Sequence, residues 1–203
     1  VNSSDDGINA AGDSEDGSQV SYAINISGGD IKIIPGGDGI DSNGDLNVSG
    51  GNIVVDGPSN GGNAPIDYDG TGTITGGNIL ATGNSGMFQG FNGNNSTQSS
   101  IIYYLDNNAA TGATIKVSDE SGKELFTSAD QTQSYNAVLY SSAEIESGKN
   151  YKVSVGDSES SVTAGNSQGG NFGQPPQGGM GGNGQRPQGQ PPQGQPPEMN
   201  GNF

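Results

Sequence analysis

The chain contains no cysteine, no histidine and no tryptophan, and only six of its 203 residues are lysine or arginine. Without cysteine there is no disulfide framework, which leaves the compartment open and suits proteins that draw rigidity from repeats and metal ions. Without histidine a Ser/His/Asp triad cannot be assembled, so Gly57-Pro58-Ser59-Asn60-Gly61, which matches a nucleophile elbow, is read as a glycine-rich turn. Against the six bases stand 22 acids, a net charge of −16, which excludes the electrostatic footprint of a nucleic-acid binder and points to cations as counterparts. No apolar run approaches the roughly 18 residues of a membrane span, so no membrane insertion is expected. The start at Val1 predicts a processed or partial chain, with any secretion signal or further domain lying upstream of it. Hydrophobic residues make up only 28% of the chain while glycine supplies 38 positions, too little for a thick core of large side chains. Such a composition folds when short strands stack repetitively and Gly, Asn and Asp form the corners.

One element recurs three times: Ile24 to Ile33 around Ser27-Gly28-Gly29-Asp30, Leu46 to Val55 around Ser49-Gly50-Gly51-Asn52, and Thr73 to Ala81 around Thr75-Gly76-Gly77-Asn78. Each copy is two short alternating strands joined by Gly-Gly-Asp/Asn. A second element precedes each one, at Asp6-Gly7-Ile8-Asn9, Asp38-Gly39-Ile40-Asp41 and Ala64-Pro65-Ile66-Asp67. Gly50 to Gly76 and Asp41 to Asp67 are both 26 residues apart, Gly28 to Gly50 is 22, and Asp13 to Tyr22 reads as a loop insertion. A single copy would suit a β-hairpin. Three copies, each preceded by the same short strand, predict a solenoid with Ile26, Val48 and Ile74 stacked inside and Gly28, Gly50 and Gly76 stacked at a corner. The expected fold class is therefore all-β, a parallel β-helix over residues 1–99 including its exit linker.

From Ser100 the texture changes to six short alternating segments at 101–105, 114–117, 124–127, 137–140, 151–155 and 161–163. They predict an antiparallel β sandwich or sheet, a sandwich-like cap over residues 100–165 that would cover the open end of the coil. Residues 166–203 hold seven of the ten prolines and almost no apolar side chains, which predicts a disordered Gly/Pro/Gln-rich tail acting as a spacer.

Stacked turns would lie about 4.8 Å apart, placing Asp6 near Asp38 and lining up Asn9, Asp41 and Asp67. Carboxylates at that separation repel by about 3 kcal/mol at an effective dielectric of 20. Lys32 is the one basic residue in the first 99. A hard divalent cation, Ca²⁺ rather than Mg²⁺, is the expected answer, since flexible loops of carboxylates and amides match its irregular coordination. The candidate ligands are Asp6, Asp38, Asp41, Asp67 and Asp69. Two motif matches are partial. Gly36 to Asp41 fits the start of a calcium-binding nonapeptide once, with Asn43 where an aliphatic residue belongs, and Asp67 to Gly72 begins like an EF-hand loop but has Asn78 at its twelfth position. The alternative is that Asp and Asn are simply good turn formers. A sugar site needs aromatic faces beside amides and acids; Tyr68, Tyr22 and Asn43 are the candidates, while Phe88 and Phe91 are expected to seal the junction with the cap. A lyase would need a basic residue beside the calcium. Lys32, between inward-facing Ile31 and Ile33, is read as solvated, so no catalytic residue is assigned.

The ordered combination of Asp5 to Ala10, Gly37 to Gly44, the Ser/Thr-Gly-Gly-Asn/Asp corners, Ile66 to Gly70, Ala81 to Met87 and the Ser118 to Lys123 turn resembles a family of bacterial carbohydrate-binding proteins. These are calcium-binding right-handed parallel β-helices, similar in shape to pectate lyases, that bind plant polysaccharides such as cellulose and polygalacturonate. The resemblance extends to about Gly165 and implies further coils upstream of this chain. It also implies a calcium role for Asp6, Asp38, Asp41, Asp67 and Asp69. The expected function is a calcium-stabilised carbohydrate-binding module or adhesin, extracellular at the bacterial cell surface; the alternatives are a calcium-dependent polygalacturonate lyase using Lys32 and a structural spacer that binds nothing.

Overall fold

The computed structural model describes residues 1–12 and 20–165. The predicted spacer tail, 166–203, and most of the predicted insertion between Asp13 and Tyr22 lie outside the described residues. All regular structure among the described residues is β.

The repeats form six strands: β1 (Ile8–Ala10), β2 (Ala23–Ile33), β3 (Ile40–Ser42), β4 (Asp45–Asp56), β5 (Ile66–Tyr68) and β6 (Gly72–Gly83). The chain passes alternately between two sheets. The short strands pair in parallel as β1-β3-β5, and the long ones pair in parallel as β2-β4-β6. Parallel pairing excludes the hairpin reading, because the partner of Ile26 is Val48 and the partner of Val48 is Ile74 in the next copies. The two expected strands of each copy are one strand bent at Gly-Gly, where the pairing register shifts.

The bend explains the doublet. Gly29, Gly51 and Gly77 have φ of 94°, 101° and 96°, a region that L side chains seldom enter, and they stack across the three repeats. A Cβ on Gly51 would also sit 2.9 Å from the Gly29 carbonyl oxygen. Gly51→Ala is expected to cost about 1–3 kcal/mol, the range for strain at such a residue, read as a lower urea midpoint with an unchanged slope.

Inside the bend the alternation buries one face of each long strand. Ile26, Val48 and Ile74 form one stack, Ile33, Val55 and Ala81 another, and Ile40 and Ile66 close the core from the short-strand sheet. Each fully buried aliphatic side chain contributes about 1.5–3 kcal/mol, so a few per repeat suffice where the composition is so poor in apolar residues.

The six expected strands of the second half are all present: β7 (Ser100–Ala109), β8 (Ile115–Asp119), β9 (Glu124–Ser128), β10 (Tyr135–Ser141), β11 (Asn150–Val155) and β12 (Ser158–Thr163). They do not form one sandwich. β10 pairs antiparallel with β6 and β7 pairs with β10, so the long-strand sheet runs β2-β4-β6-β10-β7 and the edge of β6 is covered. The remaining four form a separate sheet in the order β12-β11-β8-β9. Ile102 and Leu139 join the same buried cluster as the repeat residues, so the core runs unbroken across residues 99 and 100.

A buried acid fastens the loop before β10 to the repeats. Asp56, at the end of β4, is 0% exposed. Its carboxylate accepts the Thr132 N–H at 2.6 Å, the Thr132 hydroxyl at 2.7 Å and the Gln133 N–H at 3.3 Å. The Gln133 amide in turn donates to the carbonyls of Pro35 and Asp56 and accepts from the Ser59 N–H.

Candidate cation and saccharide site

The five candidate aspartates gather along the short-strand sheet and the turns beside it. Asn9, Asp41 and Asp67 are in-register neighbours at the centres of β1, β3 and β5. Alternation sets their direction: Ile40, Ser42, Ile66 and Tyr68 point inward and are buried, whereas Asp41 and Asp67 lie half-buried between them. The column derived from spacing is therefore present in the fold.

Asp6 and Asp38 occupy the preceding turn, and their carboxylates work as clasps between repeats. Asp6 Oδ1 accepts the Asp38 N–H at 2.8 Å, and Asp38 Oδ1 accepts the Ala64 N–H at 2.5 Å. Asp6 Oδ2 accepts the Asn9 side-chain amide at 2.6 Å. The third repeat carries Ala64 at this position, and the series of clasps ends there. For Asp6 the turn-forming alternative accounts for both oxygens.

Asp67 accepts the Gln89 side-chain amide at 2.8 Å, and the Asp69 N–H donates to the Ser42 carbonyl. Asp41 carries the strongest mark of crowding. Burial first, and then Asp6, Asp38, Asp67 and Asp69, push its carboxyl from 3.8 up to about 6. Asp38 is also raised, chiefly by burial, with the Ala64 N–H opposing and Asp67, Asp6 and Asp5 adding to it. Asp5, absent from the sequence-derived set, thus belongs to the same acidic surface.

This arrangement offers oxygens along an open strip. Among the described residues no three acidic side chains converge as a closed metal cage. Calcium takes six to eight oxygens, more than the neighbouring Asn9, Asp41 and Asp67 side chains could offer by themselves.

The saccharide candidates separate. Tyr68 is 6% exposed, packs in the core with Gly72 beneath its ring, and donates its hydroxyl to the Gly90 carbonyl. Burial first, then Asp67, moves that hydroxyl up to about 12. The expectation that Tyr68 presents a face to sugar is corrected: alternation along β5 turns Asp67 outward and so turns Tyr68 inward. Tyr22 and Asn43 meet at the corner leading into β2 and β4. Tyr22 donates its hydroxyl to the Gly12 carbonyl at 2.6 Å, and its own carbonyl accepts the Asp45 N–H. Asn43 is exposed, with its N–H on the Ala10 carbonyl. Phe91 is buried and Phe88 makes an edge contact with Tyr104 of β7 at 6.1 Å and 77°, so both serve the junction as expected.

Lys32 is exposed on β2, in the other sheet, and its ammonium lies 3.5 Å from the Asp130 carbonyl oxygen. The aspartate column runs along β1, β3 and β5 instead.

A second ladder occupies the repeat position after Gly-Gly. The Asn52 amide donates to Asp30 at 2.7 Å and the Asn78 amide donates to Asn52 at 2.9 Å, a row of oriented polar groups on the outer face of β2, β4 and β6. Comparison of the chain with protein-family models, curated proteins and solved structures finds no match in any of the three.

Proposed function

We propose that this chain forms the last turns of a right-handed parallel β-helix and serves as a calcium-stabilised, non-catalytic carbohydrate-binding module of a secreted bacterial surface protein. The observation that carries the cation part is the in-register run of Asn9, Asp41 and Asp67, flanked by Asp6, Asp38 and Asp69. With Lys32 the one basic residue in the first 99 and placed on the other sheet, a divalent ion is the available neutraliser. The winding itself is supported by the alternation of each repeat between two parallel sheets.

Polysaccharide as partner is supported by short rows of hydrogen-bonded polar side chains across β2, β4 and β6, Asn25 with Asn47 and Asp30 with Asn52 and Asn78, which match a polymer with repeating hydroxyls. Plant-type glucan and polygalacturonate are the two polymers to test. Depletion from solution by insoluble cellulose or pectate is expected in millimolar calcium, without release of unsaturated products from polygalacturonate. A folded protein that stays entirely in the supernatant with both polymers would contradict the reading.

A further inference from the structure

One groove, between β7 and the start of β12, is polar and carries Asp106 and Glu159. The acidic strip belongs to the site above. The groove between the Ser118 to Lys123 turn and the Glu146 to Asn150 turn has its two lysines paired with Glu144 and Glu146 at 3.0 and 2.8 Å. A third groove, of about 410 Å³, lies between the outer face of β4 and β6 and the strand β9.

This third groove combines features that recognise a pyranose ring. One wall is apolar: Leu125 and Phe126 of β9 are half-buried, and Phe126 stacks on Tyr140 at a centroid distance of 4.5 Å and 29° between planes. Val54 contributes to the opposite side. The Asn52 and Asn78 amides stand on the rim, already aligned by the ladder that begins at Asp30. Glu144 stands there too, held by Lys123. A sugar has an apolar face of C–H groups and an equatorial belt of hydroxyls, which call for an aromatic ring and fixed amide or carboxylate groups respectively. The charge pattern selects among sugars. The rim carries the Glu144 carboxylate and the ladder begins at another, while the nearby ammonium of Lys123 is taken up in its ion pair. A uronate would find no basic side chain among the residues lining the groove, and the nearby Lys123 is already paired with Glu144.

The geometry points to this groove as a binding subsite for an uncharged pyranose of a polysaccharide, with Phe126 as the stacking platform and Asn52 and Asn78 as the hydroxyl-binding rim. The assignment rests on the polysaccharide-binding reading above and gives it a place and a charge preference. It puts the sugar on the long-strand sheet, away from the Tyr22 and Asn43 corner.

Calorimetric titration of the full chain in calcium buffer with cellohexaose and with hexagalacturonate tests it. Cellohexaose is expected to bind, and Phe126→Ala and Asn78→Ala are each expected to weaken it by about tenfold, equivalent to about 1.4 kcal/mol, the size of one aromatic contact for the first and of one hydrogen bond for the second. Phe126→Tyr keeps the platform and should keep the affinity, which separates stacking from a folding defect. Asn78 is exposed, so its variant remains informative if Phe126→Ala does not fold. Unchanged cellohexaose affinity in Asn78→Ala and in folded Phe126→Ala would overturn the subsite and leave the polysaccharide reading standing. Tighter binding of hexagalacturonate through these same residues would overturn the charge preference. No binding of either oligosaccharide by the wild-type chain would remove both the subsite and the polysaccharide reading.

Discussion

Asp56→Ala is expected to lower the unfolding free energy by about 2–5 kcal/mol, the cost of leaving its buried hydrogen-bond donors without an acceptor. The reason is local. Removing the carboxylate leaves the backbone N–H groups of Thr132 and Gln133 without their acceptors, at about 1–3 kcal/mol each. It also releases the loop that carries Gln133 into the space beside Pro35 and Ser59, where that amide ties two repeats to the start of β10. Asp56→Asn retains one oxygen acceptor and is expected to lose less, about 1–2 kcal/mol. Urea unfolding read by circular dichroism measures both; an alanine variant within 1 kcal/mol of wild type would show that the junction does not depend on this clasp. Burial first, and then the Asp56 charge, push the neighbouring Tyr135 hydroxyl up to about 12, so the phenol stays neutral across the ordinary pH range.

In calcium-free buffer the chain is expected to become less stable as pH rises from about 4 to about 6. Folding moves the Asp41 carboxyl from 3.8 up to about 6, so between those values the folded state holds a proton that the unfolded chain has released. The favourable contribution of protonated Asp41 is complete below the lower value and is lost as pH climbs through the upper one. The gap corresponds to about 3 kcal/mol before screening, and for a partly exposed carboxyl about 1–2 kcal/mol should survive. Asp38, raised in the same direction, adds to the same trend. Asp41→Asn removes the charge at every pH; its stability should fall less than that of wild type over this window, keeping only the share due to Asp38, and should exceed that of wild type at pH 7 without divalent ions. A wild-type chain whose stability climbs steadily from pH 4 to pH 7 in chelator would contradict the crowding.

The repeat architecture was legible because it is written twice, in the Gly-Gly doublets and in the short Ile-containing strands, and each copy constrains the other. The hairpin alternative could be set aside only by showing which strand Ile26 pairs with, a fact that one copy of the motif does not contain. The six later strands were legible from alternation, but their division between two sheets was not. That division depends on β10 finding the free edge of β6, a contact between segments more than fifty residues apart. For the same reason Asp56 escaped notice: Val55-Asp56-Gly57 reads as an ordinary turn, and its partners lie 76 and 77 residues further on.

The aspartates divide along a physical line. Position in the repeat predicted that Asp41 and Asp67 would be neighbours, and strand pairing delivers that. The same reasoning could not tell a carboxylate facing solvent from one turned onto the next backbone N–H, which is where Asp6 and Asp38 direct an oxygen. Tyr68 failed as a sugar platform because its neighbourhood in sequence is acidic while its side of the strand is the core. The groove beside Phe126 was invisible to any local reading, since it forms only where β9 is brought against the repeat sheet.

Thermal unfolding at pH 7 in millimolar calcium and in EDTA decides whether a divalent ion holds the carboxylate column together, as proposed above. The melting temperature should be higher in calcium, by an amount equivalent to about 2.7 kcal/mol when the ion is at a hundred times its dissociation constant, and Asp41→Asn should lose most of that gain. Identical melting curves for the wild-type chain in calcium and in chelator would contradict the claim.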